Sequence, residues 1–208
     1  VWQPGEMGSQ ALCRVLFGEV SPSGHLPLTA ARNVGQLPVY YGLPRGSGYV
    51  AAGHTGMIRN KNGYINDTAF PLYYFGHGLS YPSFRYGQLT LSRAELTPAE
   101  ELEASIEIEN TGNWDGAEVV QFYFSDPVAS MVRPTLELAG FQRVFLKQGE
   151  KKRVTFRMKI SQCAFLDEEM HWVVERGRME LLCGGSCVDI RSRADFRIPE
   201  TKQIDGRH

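Results

Sequence analysis

Between Glu101 and Glu109 the chain changes character at every residue. Leu102, Ala104, Ile106 and Ile108 are apolar, and Glu101, Glu103, Ser105, Glu107 and Glu109 lie between them. Successive side chains of a strand point to opposite faces, so this period of two predicts a strand with one buried and one wet face. Val154, Phe156, Met158 and Ile160 repeat the pattern, alternating with Arg153, Thr155, Arg157 and Lys159. Val119 to Phe124 reads as an apolar strand, and further strands are predicted at 88–91, 136–145, 171–174, 178–182 and 188–191. Turns are expected at Asn110-Thr111-Gly112-Asn113, Gly149-Glu150 and Arg176-Gly177. Roughly seven short strands with turns between them predict a mainly-β fold, an antiparallel β-sandwich of immunoglobulin-like type.

The first 83 residues look different. They carry five basic and three acidic side chains, against 17 and 20 in the rest. A surface in water normally needs more charge than that. This part is therefore expected to lie under something else, either the sandwich or a further domain. Met7, Ala11, Leu12, Val15 and Leu16 recur at helical spacing, so 7–17 is predicted to be a short helix that Gly18 stops. Cys13 is expected to be a small core residue of it, and Glu6 to favour its N-terminus. Pro22-Ser23-Gly24 reads as a turn, with 25–29 extended after it. From Gly42 to about Phe70 six glycines and Pro44 interrupt any period, giving a long irregular segment of the kind that is functional or a linker. The chain opens on Val1, and Trp2-Gln3-Pro4-Gly5 already reads like the middle of a domain, so a longer parent polypeptide is expected.

A net charge of −1 leaves no surplus of Lys and Arg to neutralise phosphates, so no nucleic-acid partner is expected. No run of 18 apolar residues is present, so no membrane-spanning helix is expected. Cys183 and Cys187 flank Gly184-Gly185-Ser186 at a predicted hairpin tip; a cross-turn disulfide is one reading there and free thiols the favoured one. The four cysteines and the five histidines, at 25, 54, 77, 171 and 208, lack metal-ligand spacing, so no metal is expected.

Several runs resemble the close of the second, α/β-sandwich domain of glycoside hydrolase family three, which includes β-glucosidases and β-xylosidases. They are Trp2-x-Pro4-Gly5-Glu6-x-Gly8, Val15-Leu16-Phe17-Gly18-Glu19-x-x-Pro22-Ser23-Gly24-x-Leu26-Pro27-Leu28-Thr29 and Val34-Gly35-Gln36-Leu37-Pro38-Val39-Tyr40-Tyr41. Pro71-Leu72-Tyr73-Tyr74-Phe75-Gly76-His77-Gly78-Leu79-Ser80-Tyr81 resembles the hinge into that family's fibronectin type III-like domain. Asn110-Thr111-Gly112, Gly116 to Tyr123, Arg133-Pro134, Glu137 to Phe141 and Gly149-Glu150 resemble the domain itself. The resemblance implies four parts: 1–41 as the end of the α/β domain, 42–80 as an irregular linker, 81–200 as the fibronectin type III-like sandwich, and 201–208 as a tail.

It also implies the chemistry. Retaining glycosidases use two carboxyl groups ~5–5.5 Å apart, a nucleophile and an acid/base. In the family the nucleophile is an Asp of the first domain, and the acid/base Glu of β-glucosidase-like members lies upstream of the stretch seen here. Neither motif occurs in this sequence. The chain is thus expected to be the structural C-terminal portion of a retaining β-glycosidase. The parent would act on terminal non-reducing β-D-glucosyl residues without a cofactor, and this portion would pack on its N-terminal catalytic domains.

Substrate contact is sought in the irregular segment, where His54, Arg59, Asn62, Tyr64 and Asp67 offer the mixture of aromatic faces, carboxylate and amide that sugars need. The competing reading is a packing linker in which Tyr64 and Asp67 brace the hinge. Asn66-Asp67-Thr68 fits a glycosylation sequon. Glu100, Glu101, Glu103, Glu168 and Glu169 are read as solvated surface. Trp172 is expected in the sandwich core and Trp114 near a turn, where an exposed ring supports the alternative function, an independent glycan-binding or adhesive module.

Overall fold

A computed structural model describes residues 3–44 and 70–207. Helix α1 spans Gly8–Leu16. The strands are β1 (Phe84–Tyr86), β2 (Thr90–Leu91), β3 (Glu101–Asn110), β4 (Gly116–Ser125), β5 (Glu137–Leu146), β6 (Lys151–Lys159), β7 (Phe165–Leu166), β8 (Trp172–Val174), β9 (Gly177–Gly184), β10 (Ile190–Ile198) and β11 (Lys202–Gln203). In the first sheet β3 pairs β6 on one side and β1 and β2 on the other. β1 faces residues 108–110 and β2 faces 104–105, so the two behave as one interrupted edge strand. The second sheet runs β10-β9-β4-β5, and a small third sheet runs β11-β8-β7. All these pairings are antiparallel, and the first two sheets make the expected sandwich.

The sequence pattern explains the register. Leu102, Ala104, Ile106 and Ile108 all point inward and are at most 1% exposed. On the outer face Glu101 lies opposite Lys159, Glu103 opposite Arg157, Glu107 opposite Arg153 and Glu109 opposite Lys151. A slip of one residue would expose the apolar set and undo every one of these pairs. Between the sheets Phe122 stacks on Phe156, with centroids 4.4 Å apart and an interplanar angle of 6°. Every residue of β4 is buried, because its inner side faces the sandwich core and its outer side is covered by the N-terminal segment.

Three expectations are corrected. β10 runs over Ile190–Ile198 rather than 188–191, because its inner positions include the polar Ser192 and small Ala194, which thin the apolar half of the period. Charged outer positions suit an edge strand, which must not attract further strands. Trp172 sits half-buried in the small sheet and packs only against the margin of the core. Residues 22–24 form no turn. Residues 201–207 are tied to the body of the fold: β11 pairs β8, and Arg207 reaches Gln162 O at 2.6 Å and Glu137 Oε2 at 2.6 Å.

Helix α1 ends as predicted, with Phe17 as C-cap and Gly18 at φ +77°. Its surroundings differ from expectation. Cys13 is exposed, as are Met7, Leu12, Leu16 and Phe17, so the apolar stripe faces outward. Glu6 precedes the N-cap Met7, and the first turn holds no acidic residue. Among the described residues no helix is long and apolar enough to cross a membrane.

Candidate functional site

The five residues singled out for substrate contact, His54, Arg59, Asn62, Tyr64 and Asp67, lie outside the described residues, as does the sequon at 66–68. Among the described residues, polar side chains gather instead at the joint between the N-terminal segment and the sandwich.

The joint starts from a short antiparallel ribbon. Leu26 N–H donates to His77 O at 2.9 Å, Gly76 N–H to Leu26 O at 2.8 Å and Ala30 N–H to Tyr73 O at 2.8 Å. An aromatic plug holds this ribbon on the outer face of β4. Tyr41 stacks on Phe75 at 4.3 Å and meets Tyr123 edge-on at 6.2 Å, while its hydroxyl accepts from Leu138 N–H at 3.1 Å. Burial raises the Tyr123 phenol far above its ordinary range, so its hydroxyl stays a donor to Gln121 Oε1.

Gln121 is the hub. It is 3% exposed, and its amide nitrogen reaches Gly185 O at 2.6 Å and Gly76 O at 3.1 Å. A polar side chain in a doubly buried strand needs such partners, since burying an amide unpaired costs a few kcal/mol, roughly 1–3 on mutational scales. The hub also explains the Gly76-His77-Gly78 run. A Cβ at Gly76, which has φ +80°, would lie 2.2 Å from Gln121 Oε1, and one at Gly78 would lie 2.6 Å from the His25 ring. Side chains there would push the ribbon off the sheet.

Beside the hub lie His25 and Glu118. His25 Nδ1 is 2.6 Å from Gly76 O, and its Nε2 is 3.7 Å from Glu118 Oε1. Glu118 accepts from Val119 N–H at 3.0 Å. Burial holds its carboxyl above the usual carboxylate range, against the opposing pull of His25. The buried Tyr86 hydroxyl faces this carboxyl without a well-formed hydrogen bond of its own.

A second cluster fixes the loop after β4. Arg133, 8% exposed, reaches Asp126 at 3.1 Å, Glu137 at 3.0 Å and Cys163 O at 2.8 Å, with its guanidinium 4.9 Å over the Phe165 ring. That loop receives the chain at residues 43–44: Thr135 N–H donates to Leu43 O at 3.2 Å, and Pro134 bridges Pro44. Gln36, 2% exposed, holds residue 70 through Phe70 O at 3.1 Å.

These groups hold chain to chain. The buried carboxyls Glu118 and Asp126 pair with His25 and Arg133, side chains that join separate stretches of the chain. Cys183 and Cys187 are free, and burial pushes both thiols up to about 12. Cys183 faces the sandwich core and Cys187 the aromatic plug, on opposite sides of the sheet, which keeps them from bonding. Trp114 is half exposed but spoken for: it packs against Tyr81 at 5.6 Å, and Tyr81 donates to Val15 O in α1.

His25 looked dispersed in the sequence because its partners lie 93 and 96 positions away. Glu118 and Gln121 left a readable signal. Each interrupts an otherwise apolar stretch, and such an interruption in a fully buried strand calls for a partner.

Residues 1–81 match the glycosyl hydrolase family 3 C-terminal domain, and residues 118–187 match the fibronectin type III-like domain. A periplasmic β-glucosidase of Salmonella typhimurium is 39% identical over 184 residues, covering 88% of this chain and 24% of that protein. A β-xylosidase of Formosa agariphila is 36% identical over 185 residues, covering 89% and 24%. Among solved structures, a β-glucosidase from Listeria innocua in complex with isofagomine superposes with a TM-score of 0.85 at 31% identity, covering 95% of this chain and 27% of that one. A β-glucosidase from Erythrobacter marinus gives 0.80 at 38% identity, covering 94% and 24%. The chain spans about a quarter of the length of each of these proteins.

Proposed function

Because the chain belongs to glycosyl hydrolase family 3, as its C-terminal portion, we propose that it is the supporting part of a retaining exo-β-glycosidase whose reacting carboxyls lie upstream. The parent's substrate in this reading is a glycoside or oligosaccharide with a terminal β-D-glucosyl unit. The chain's task is to pack on the catalytic domains and keep the outer wall of their site in place.

The observation that carries this reading is the outward apolar stripe. Leu16 is 69% exposed, Phe17 83% and Val34 85%, all in a segment with few charges. Apolar patches beyond a few hundred Å² generally mark an interaction surface. Contact of that surface with the upstream domains removes it from water and aligns the joint with them.

The test is complementation. The purified chain is expected to leave nitrophenyl β-glucoside and β-xyloside uncleaved, and activity is expected when the upstream part is supplied. A preference for the xyloside would move the substrate reading from glucose to xylose. Glycan binding is the second reading, motivated by Trp114. Retention of the chain on insoluble cellulose or xylan, lost on Trp114→Ala, would favour it over the supporting role.

A further inference from the structure

The joint holds a titratable pair that the supporting role does not require. His25 Nδ1 lies 2.6 Å from Gly76 O, so Nδ1 carries a proton and donates it. Gln121 Nε2 also lies 3.1 Å from His25 Nδ1, and with that atom protonated its two amide protons are directed at Gly185 O and Gly76 O. This leaves His25 Nε2 facing Glu118 Oε1 at 3.7 Å. One more proton decides the sign of that contact. Held by either atom, it makes the contact attractive. With neither atom protonated, a nitrogen lone pair faces a carboxylate, with side chains only 15% and 12% exposed. Little water is present to screen the repulsion.

The other groups around Glu118 do not replace that proton. Tyr86 from β1 offers a neutral hydroxyl, its pKa raised by burial and by Glu118; its pull toward the carboxylate is outweighed by burial. Cys183 from β9 is held as a thiol, its pKa pushed up to about 12. Arg191 from β10 lies 5.4 Å over the Tyr86 ring and pairs with Asp189 of the hairpin tip at 2.7 and 2.8 Å, so their charges largely offset each other. Among the described residues His25 is the one ion-pair partner of Glu118.

We propose that the His25–Glu118 contact is a proton-operated lock on the joint: one proton between imidazole and carboxyl holds the ribbon of residues 25–30 and 72–78 on the sandwich, and its loss releases the ribbon. The sign follows from Glu118, whose carboxyl is held higher in the folded chain than in the unfolded one. Its stabilising contribution is full below the unfolded pKa and is lost as pH rises through the folded value. Between the two values the opening constant grows by up to about tenfold per pH unit.

Hydrogen exchange on the full chain reads this directly. The amides of Leu26 and Gly76 close the ribbon, and that of Phe122 lies in the sandwich. After correction for intrinsic exchange, the opening constants of the first two relative to the third are expected to rise with pH, by up to about tenfold per pH unit, as Glu118 loses its proton. In Glu118→Gln, whose amide keeps a proton available to Nε2 at every pH, the ratio is expected to stay flat. A flat ratio in the unaltered protein overturns the proposal, as does an undiminished rise in the variant. If the variant does not fold, the unaltered protein still decides. The outcome is independent of glycosidase activity.

Discussion

The N-terminal segment and the sandwich solve the burial problem in opposite ways. Of the 20 large apolar side chains exposed among the described residues, 13 lie between Met7 and Tyr81, although that segment is much the shorter. The sandwich closes on itself: Phe122, Leu102 and Ile108 are fully buried, and its outer charges pair across strands. The N-terminal segment closes only its inner side, against β4, through Tyr41, Phe75 and Gln121. A domain with its own core needs no neighbour, whereas a segment apolar on both sides needs two. That difference locates the proposed docking surface without any appeal to catalytic residues.

The most damaging change to the contrast is expected inside the sandwich. Phe122→Ala removes a fully buried ring stacked on Phe156 and should cost ~3–5 kcal/mol in urea unfolding. All strands of the two main sheets should melt together at a lower midpoint, since both contribute to one core. A loss below ~1 kcal/mol, or melting confined to residues 3–44, would mean the sandwich does not carry the stability assigned to it.

A smaller and more local effect is expected at the joint. Gln121→Leu keeps the bulk but strands Gly185 O and the Tyr123 hydroxyl, at about 1–3 kcal/mol for each group left unpaired, while Gly76 O keeps its bond from His25. Amides of the 25–30 ribbon should then exchange much faster, while those of β3 and β6 keep their protection. Equal acceleration in both places would erase the distinction between the two regions.

The sandwich was legible in the sequence for the reason that makes it stable. β3 and β6 bury one face each, so their period of two is written openly, and β4, buried on both faces, reads as a nearly continuous apolar run. β10 is less legible because Ser192 and Ala194 stand at inner positions, leaving the apolar half of its period thin until Phe196 and Ile198. The two-residue β7 and β11 carry too little pattern to be seen at all. Helix α1 is legible as a helix, yet Cys13, expected in the core, is exposed, because periodicity shows that a face is apolar and never what covers it. The joint escaped for a different reason. His25, Gly76, Gln121 and Gly185 come together from four distant stretches, and no local spacing encodes a contact closed only by folding.

The smallest effect on this chain is expected where the sequence is greasiest. Phe17 is 83% exposed, so Phe17→Ser removes almost no burial and should shift unfolding by less than ~0.5 kcal/mol. The same ring buried in the sandwich would cost several times more. When the upstream domains are present the sign of the comparison should reverse, because the substitution then places a hydroxyl in a buried contact and weakens the assembled enzyme. Measuring unfolding in the chain alone and activity in the assembled protein separates the two cases. A large loss in the chain alone would mean that the stripe is already covered from within, and the proposed docking surface would have to lie elsewhere.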